Sequence, residues 1–283
     1  MTDHIIESRI PYAVYAATPG VSITRLKEIE RSPAHYRHRL HHPATSAPLT
    51  LGTAAHCATL EPERYARDFA VWDERTESGA LRPRRSKDFA AFAAEHAGKT
   101  IVTGDEHAHA HAIANAVRGH VTAARYLETG DPEVSMRWTT GAHQSKGRVD
   151  WLTVVDGLDV LVGLKTTVDC RPHVFGRQAA RLGYAMQWAY YYDGYHAITG
   201  RLAKVVEIVV ESAPPYAVAV YVVPAEVLEL GRGTYLDMLD RLAECERADS
   251  WPGPVVGEVA LELPRWAYAD DTEDDAESIG LVV

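Results

Sequence analysis

The sequence predicts an α/β chain of the α+β kind, a β-sheet flanked by helices. The first observation is a pair of apolar-rich runs, residues 148–155 and 160–167, joined at Asp156-Gly157. Such runs on either side of an Asp-Gly turn are a β-hairpin signature. The second is another β-rich pair, residues 203–211 and 216–223, joined by Ser212-Ala213-Pro214-Pro215 and read as an antiparallel pair completing the sheet. The third is a set of long helical patterns over residues 104–127, 183–198 and 224–246. With 283 residues and 46% hydrophobic content, the chain can bury a core without crosslinks.

Taken in order, residues 1–20 read as an irregular lead-in ending at Pro19-Gly20. Ser22 or Thr24 can cap a helix that reaches about Arg31. Ser32-Pro33 starts the next, since proline is tolerated in a first turn, and His41-His42-Pro43 stops it. Residues 44–50 form a Pro/Ser/Thr-rich loop. Residues 51–60 form a helix whose small members Gly52, Ala54, Ala55 and Ala58 allow close packing, with His56 at its middle. Residues 73–86 are a polar, breaker-rich loop, residues 87–96 a short helix, and residues 100–102 a short strand. The long pattern 104–127 carries His107, His109 and His111, read as a solvated helix face. After the break at Gly130-Asp131-Pro132, residues 133–139 alternate as a strand with one polar face, and residues 140–145 turn into the hairpin. The helix over 173–182 places Arg177 and Arg181 one turn apart, and the helix over 183–198 places Gln187 and Tyr191 on one face. There is no internal repeat and no strong boundary, so residues 1–265 are read as one domain and residues 266–283 as an acidic tail.

Composition narrows the function. No apolar run approaches the ~20 residues needed to span a bilayer, and the N-terminus lacks the basic-then-apolar pattern of a secretion signal. A cytoplasmic protein without a membrane partner is expected. Cys57, Cys170 and Cys245 are scattered, which argues against a disulfide scaffold and an iron–sulfur cluster. The net charge of −10 is unfavourable for nucleic-acid binding taken as a whole, but fields are local. A dense run of acid lies in residues 270–277, while basic residues cluster at Arg37-His38-Arg39 and over Arg82, Arg84, Arg85 and Lys87.

The hairpin is also where the chemistry concentrates. Its first strand carries Asp150 and its second carries Lys165, and neither charge suits a buried strand without a partner. A carboxylate and an ammonium on adjacent strands can share one site with a hard cation and a water.

The segments GRVDWL (147–152), LKTT (164–167) and GYAMQWAYYYDGY (183–195) resemble the core of the PD-(D/E)XK nuclease superfamily. Within it, the RecE-like exonuclease VIII family is most similar. SPAHYRHRL (32–40), LGTAAHCATLEPE (51–63) and PEVSMRW (132–138) resemble that family's other blocks, in the same order, over roughly residues 15–200. The resemblance implies a restriction-endonuclease-like core with a central mixed β-sheet. It implies a metal-dependent exonuclease that resects double-stranded DNA ends 5′ to 3′ with Mg²⁺ or Mn²⁺. Asp150, His56, Glu133 and the Leu164 carbonyl would hold the ion. Asp150, Lys165, Gln187 and Tyr191 would carry the reaction, and Arg84, Arg85, Lys87, Arg148, Arg177 and Arg181 would contact DNA. A ring-like homo-oligomer and a single-strand annealing recombinase as partner are implied as well.

One position departs from the pattern. The family's second strand ends acid-x-Lys, whereas here it reads Gly163-Leu164-Lys165. Glu133 is the favoured replacement, ahead of Asp159, which would lie over ~13 Å away along an extended strand; extra water and the DNA phosphate are a third route. Restoring the acid with Gly163→Asp is expected to raise metal affinity and activity. The alternatives are a degenerate nuclease that binds DNA or recruits a partner without cutting, and an unrelated metalloprotein using His107 and His111.

Overall fold

The structure, a computed structural model, describes residues 4–42 and 51–264. The loop expected over residues 44–50 and the acidic tail lie outside the described residues. The first part contains β1 (Ile5–Glu7), α1 (Tyr12–Ala17), β2 (Val21–Ser22), α2 (Ile23–Leu26), α3 (Glu28–Arg31) and α4 (Pro33–His41). Then come α5 (Leu51–Leu60), α6 (Pro62–Asp68), β3 (Phe69–Trp72), α7 (Lys87–Glu95), β4 (Thr100–Thr103), α8 (Gly104–Gly119) and α9 (Val121–Leu127). The last part holds β5 (Asp131–Thr140), β6 (His143–Val155), β7 (Leu158–Thr167), α10 (Pro172–Arg181), α11 (Tyr184–Thr199), β8 (Ala203–Glu211), β9 (Val218–Val222) and α12 (Ala225–Ala248).

The main sheet has seven strands in the order β1-β5-β6-β7-β8-β9, with β2 pairing β6 off this path. It is mixed, as expected. The neighbours β5/β6, β6/β7 and β8/β9 are antiparallel, whereas β7/β8 are parallel. A parallel pair needs a long crossover, and α10 with α11 supplies it. Helices cover both faces. On one, Met186, Ala189 and Tyr190 of α11 pack on Val134, Met136 and Trp138 of β5, and Leu239 and Leu242 of α12 join the same core from behind α11. On the other, Ala54, Ala55 and Ala58 of α5 and Ile113, Ala114 and Val117 of α8 pack on Val160, Val162, Val206 and Ile208. Large side chains such as Trp138 and Tyr190 are 1% and 0% exposed, and each such burial contributes ~1.5–3 kcal/mol.

Four local expectations change. The lead-in is ordered, because β1 pairs with β5 and β2 with β6. Strand β3, not foreseen, pairs in parallel with β4 in a separate two-stranded sheet. The long helix breaks at His120, whose ring accepts a hydrogen bond from the Ala123 N–H and so caps α9. The turn before the hairpin shrinks to Gly141 and Ala142, Gly141 taking a φ of +57° that suits glycine. Among the described residues, no helix is long and apolar enough to cross a membrane.

Candidate active site

Four separated segments meet at the middle of the main sheet. The small residues of α5 let it lie close against α8 and β7, which aims His56 at the strands. Its Nε2 stands 3.3 Å from Asp150 Oδ2 of β6, and its Nδ1 stands 3.3 Å from Glu133 Oε1 of β5. Lys165 Nζ of β7 lies 3.6 Å from Asp150 Oδ2. Asp150, Lys165 and His56 are thus brought together, with Glu133 beside them. The side chains of Asp150 and Lys165 are each 19% exposed, so the cleft opens to solvent.

The strands are distorted where this happens. The β5/β6 ladder pairs Pro132 with Trp151 and Val134 with Val149, skipping Glu133 and Asp150 between them. Glu133 has φ +54°, a left-handed conformation that costs a non-glycine residue ~1–3 kcal/mol. Across the gap, Val149 packs into the α11-side core and Trp151 into the α8-side core, so side-chain alternation breaks at Asp150. The β6/β7 ladder also ends at Trp151 and Val162. Beyond it, the Leu164 N–H donates to Asp150 Oδ2 at 2.8 Å instead of to a strand carbonyl. The splayed strands expose two acids that a regular ladder would set directly opposite each other, an unfavourable arrangement for like charges.

Charge is shared unevenly. Burial pushes Asp150 up, but Lys165, His56 and the Leu164 N–H outweigh it and hold its carboxyl well below the usual range. Burial pushes Lys165 down, yet Glu207 and Asp150 outweigh it and keep it an ammonium. Burial likewise lowers His56, and Asp150 and Glu133 more than reverse this. Burial raises Glu133 despite His56 and Arg148.

Glu207 of β8 is the site residue that the sequence reading missed. It is 1% exposed, its Oε1 lies 3.5 Å from Lys165 Nζ, and its Oε2 accepts a hydrogen bond from Trp188 Nε1. It is the register partner of Gly163 on the parallel neighbour β7. Burial raises its pKa more than Lys165 lowers it. One ammonium is shared by two acids: Asp150 also has His56 and the Leu164 N–H, whereas Glu207 also has the Trp188 N–H, which reaches Oε2 and not Oε1. The missed signal was an acid inside the apolar run Val205-Val206-Glu207-Ile208-Val209-Val210, which only a buried partner can explain.

The other expected residues divide. Gln187 and Tyr191 line the same cavity as Asp150, Gly163, Lys165 and Glu207, and Gln187 Nε2 donates to Tyr191 Oη at 3.4 Å. Arg148 is not a surface DNA contact. It is 8% exposed, pairs through Nε with Glu133 Oε2 at 2.5 Å, and lies under the rings of Tyr12 and Tyr15. Arg84 is exposed but engaged by Glu106, and Arg85 and Lys87 are exposed beside it, next to the small sheet. Arg177 and Arg181 are exposed on α10. Asp159 is buried and paired with Arg201 at 2.9 Å, away from the site. The histidine triplet is not a solvated face. His107 contacts Tyr65 Oη at 3.2 Å, His111 packs edge-on to the Tyr65 ring, and His109 contacts the Ser212 carbonyl at 2.6 Å.

The donors suit a hard divalent ion. Mg²⁺ keeps several waters and binds through one or two carboxylates with substrate phosphate, without an all-protein cage. Among the described residues, no three His, Cys, Asp or Glu side chains form such a cage. Asp150 and Glu207 offer carboxylates around one cavity, and Glu207 Oε1 is buried there without a hydrogen-bond partner.

A family model described as a PDDEXK-like domain of unknown function (DUF3799) matches residues 22–261. Among solved structures, the chain is similar to one described as "Putative exonuclease" from Eubacterium rectale. The two are 12% identical over 91% of this chain and 96% of that one, with a TM-score of 0.60, which shows a shared fold. Protein VC1899 of Vibrio cholerae aligns at 12% identity over 69% of this chain and 49% of that one, with a TM-score of only 0.22. No curated protein matches the sequence.

Proposed function

The chain belongs to the family of PDDEXK-like domains of unknown function, and from that premise we propose that it is a metal-dependent DNA exonuclease. The reaction is hydrolysis of phosphodiester bonds at double-stranded ends, 5′ to 3′, as the RecE-like resemblance suggests. One observation carries the reading: Asp150, Lys165, His56 and Glu133, from four separate segments, share a single solvent-open cleft. The description of the Eubacterium rectale structure points the same way.

In this reading Asp150, the Leu164 carbonyl and His56, once the imidazole has given up the proton that Asp150 and Glu133 favour, would hold Mg²⁺ or Mn²⁺, with Glu133 next to them. When bound, the ion supplies positive charge at the scissile phosphate and makes water a better nucleophile. Lys165 remains an ammonium, since two acids flank it. It therefore orients the attacking water and stabilises charge growing on the phosphate, and it takes no proton. Gln187 steadies a phosphate oxygen, and Tyr191, hydrogen-bonded to it, holds it in place.

The test uses end-labelled linear duplex DNA with Mg²⁺ or Mn²⁺. Time-dependent shortening that Lys165→Ala abolishes supports the proposal. Retention of DNA without loss of length supports the second reading, a degenerate nuclease that only binds; the absence of a side chain at Gly163 is the observation that favours it. Resection of the RecE type would also place the chain in a ring-like oligomer working with an annealing recombinase. Sedimentation of the purified protein and co-purification with such a partner test those two points.

A further inference from the structure

Gly163 leaves the acid-x-Lys pattern one carboxylate short, and the strand next to it offers one. We infer that Glu207 takes the place of the missing acid, supplying from β8 the second carboxylate for a divalent cation that the pattern would place at residue 163 on β7. The inference rests on the hydrolase reading for its purpose, but its evidence is separate.

Three observations carry it. The first is position. Gly163 and Glu207 are register partners on adjacent parallel strands, so their backbones occupy the same level of the sheet. A β-carbon on residue 163 would meet the Glu207 carboxylate, with Oε2 only 2.7 Å away. The glutamate's longer side chain therefore delivers its carboxylate to the space over β7. Glycine at 163 and glutamate at 207 belong together: a side chain at one position excludes the carboxylate of the other.

The second observation is an unmet need. Glu207 is 1% exposed and its Oε1 has no hydrogen-bond partner, although Oε2 accepts from Trp188. A buried carboxylate oxygen left without a donor is costly. The ammonium facing it, Lys165 at 3.5 Å, is shared with Asp150 at 3.6 Å. A second cation would relieve that shortage.

The third is enclosure. Asp150, Lys165 and Glu207 line one cavity with Gln187, read as steadying a phosphate oxygen, and Tyr191, which holds Gln187 in place. Glu133, the replacement favoured from the sequence, lies on the far side of His56 and is already bound by Arg148. It is the weaker candidate for that reason.

The experiment measures Mn²⁺ binding to the full chain, without DNA, by titration calorimetry and by loss of the free-ion electron-paramagnetic signal. Asp150→Asn is the positive control for loss of the site. Glu207→Gln keeps the acceptor for Trp188 and removes the charge. A tenfold or larger weakening of Mn²⁺ binding, with an unchanged circular dichroism spectrum, supports the inference. Wild-type affinity in Glu207→Gln, with affinity lost in Asp150→Asn, overturns it. So does a wild-type chain that binds no Mn²⁺. Should Glu207→Gln not fold, Glu207→Asp, which withdraws the charge by one methylene, carries the same readout with the same two outcomes. Glu207-dependent Mn²⁺ binding in a chain that cuts no DNA would leave this inference standing and reject the exonuclease proposal.

Discussion

The Glu207 carboxylate occupies the volume that a β-carbon on Gly163 would need, Oε2 lying 2.7 Å from that position. This reverses the expectation that Gly163→Asp would raise activity. The new side chain would press one carboxylate against another inside a closed strand pair. Overpacking of this sort costs ~1–3 kcal/mol, and like charge adds to it. Gly163→Asp should therefore unfold at lower urea concentration than wild type and gain no Mn²⁺ affinity. Combined with Glu207→Ala, which clears the space, the same substitution should recover stability relative to Gly163→Asp. A single Gly163→Asp variant that is as stable as wild type and binds Mn²⁺ more tightly would show that the two positions do not compete.

Asp150 and Glu207 should affect stability in opposite ways as pH changes when metal is removed with EDTA. Lys165, His56 and the Leu164 N–H outweigh the burial that would raise Asp150, so its pKa lies below the ordinary 3.8. Its contribution is present above 3.8 and is lost as pH falls through the folded value. The destabilisation caused by Asp150→Asn should therefore be largest near neutrality and shrink on acidification. Glu207, raised by burial above the ordinary 4.5, is the reverse case. Its favourable contribution is present below 4.5 and is lost as pH rises through the folded value. Glu207→Gln should then be at least as stable as wild type at pH 7, with the difference closing towards pH 4. Urea denaturation between pH 3 and 7 reads both, and a Glu207→Gln advantage that grows on acidification would contradict the assignment.

Gly147 offers a way to disturb the phosphate-facing pair without touching a carboxylate. A β-carbon there would lie 2.8 Å from the Tyr191 ring and 3.3 Å from Trp138. Trp138 is fully buried and cannot move away, so the Tyr191 ring must shift and its hydrogen bond with Gln187 is disturbed. Gly147→Ala is expected to slow DNA cleavage by about tenfold or more, the loss typical of a displaced positioning group, while Mn²⁺ binding stays within twofold of wild type. Equal losses of both would place Tyr191 in the fold of the site and not in the positioning of Gln187.

Local signals made most of the fold legible. The Asp156-Gly157 turn fixed the β6/β7 hairpin, and continuous apolar runs marked β7 and β8. What escaped depended on distant pairing. The lead-in looked irregular because β1 and β2 are three and two residues long and exist only through their partners in β5 and β6. That miss produced another: Arg148 read as a surface cation because Tyr12 and Tyr15, which cover it, come from the lead-in. Asp150 and Lys165 stood out as charges in apolar strands. Glu207 is the same kind of signal, but its meaning depends on β8 lying parallel to β7, a pairing set by the α10–α11 crossover and invisible to any short window. His56 and Glu133 were found through resemblance to known blocks, since nothing in their own periodicity separates them from packed or edge residues.

The two candidate basic surfaces should differ in what they give to DNA binding. Arg84 spends its charge on Glu106, and Arg82 spends its own on Asp88. Arg177 and Arg181 are exposed and make no ion pair among the described residues. They also sit on α10, which follows directly from the strand that carries Lys165. Its last turn approaches the cleft, because the Leu182 carbonyl accepts a hydrogen bond from Lys27 and both Lys27 and Lys165 lie over the Tyr184 ring. For duplex DNA, removing one cation from a phosphate lowers the slope of log affinity against log salt by about 0.9. Arg177→Gln with Arg181→Gln should therefore flatten that slope by nearly two, whereas Arg84→Gln should leave it almost unchanged. Fluorescence anisotropy of a labelled duplex in EDTA, titrated from about 50 to about 200 mM salt, measures it. A larger effect from Arg84→Gln would move the DNA path to the small β3–β4 sheet and away from α10.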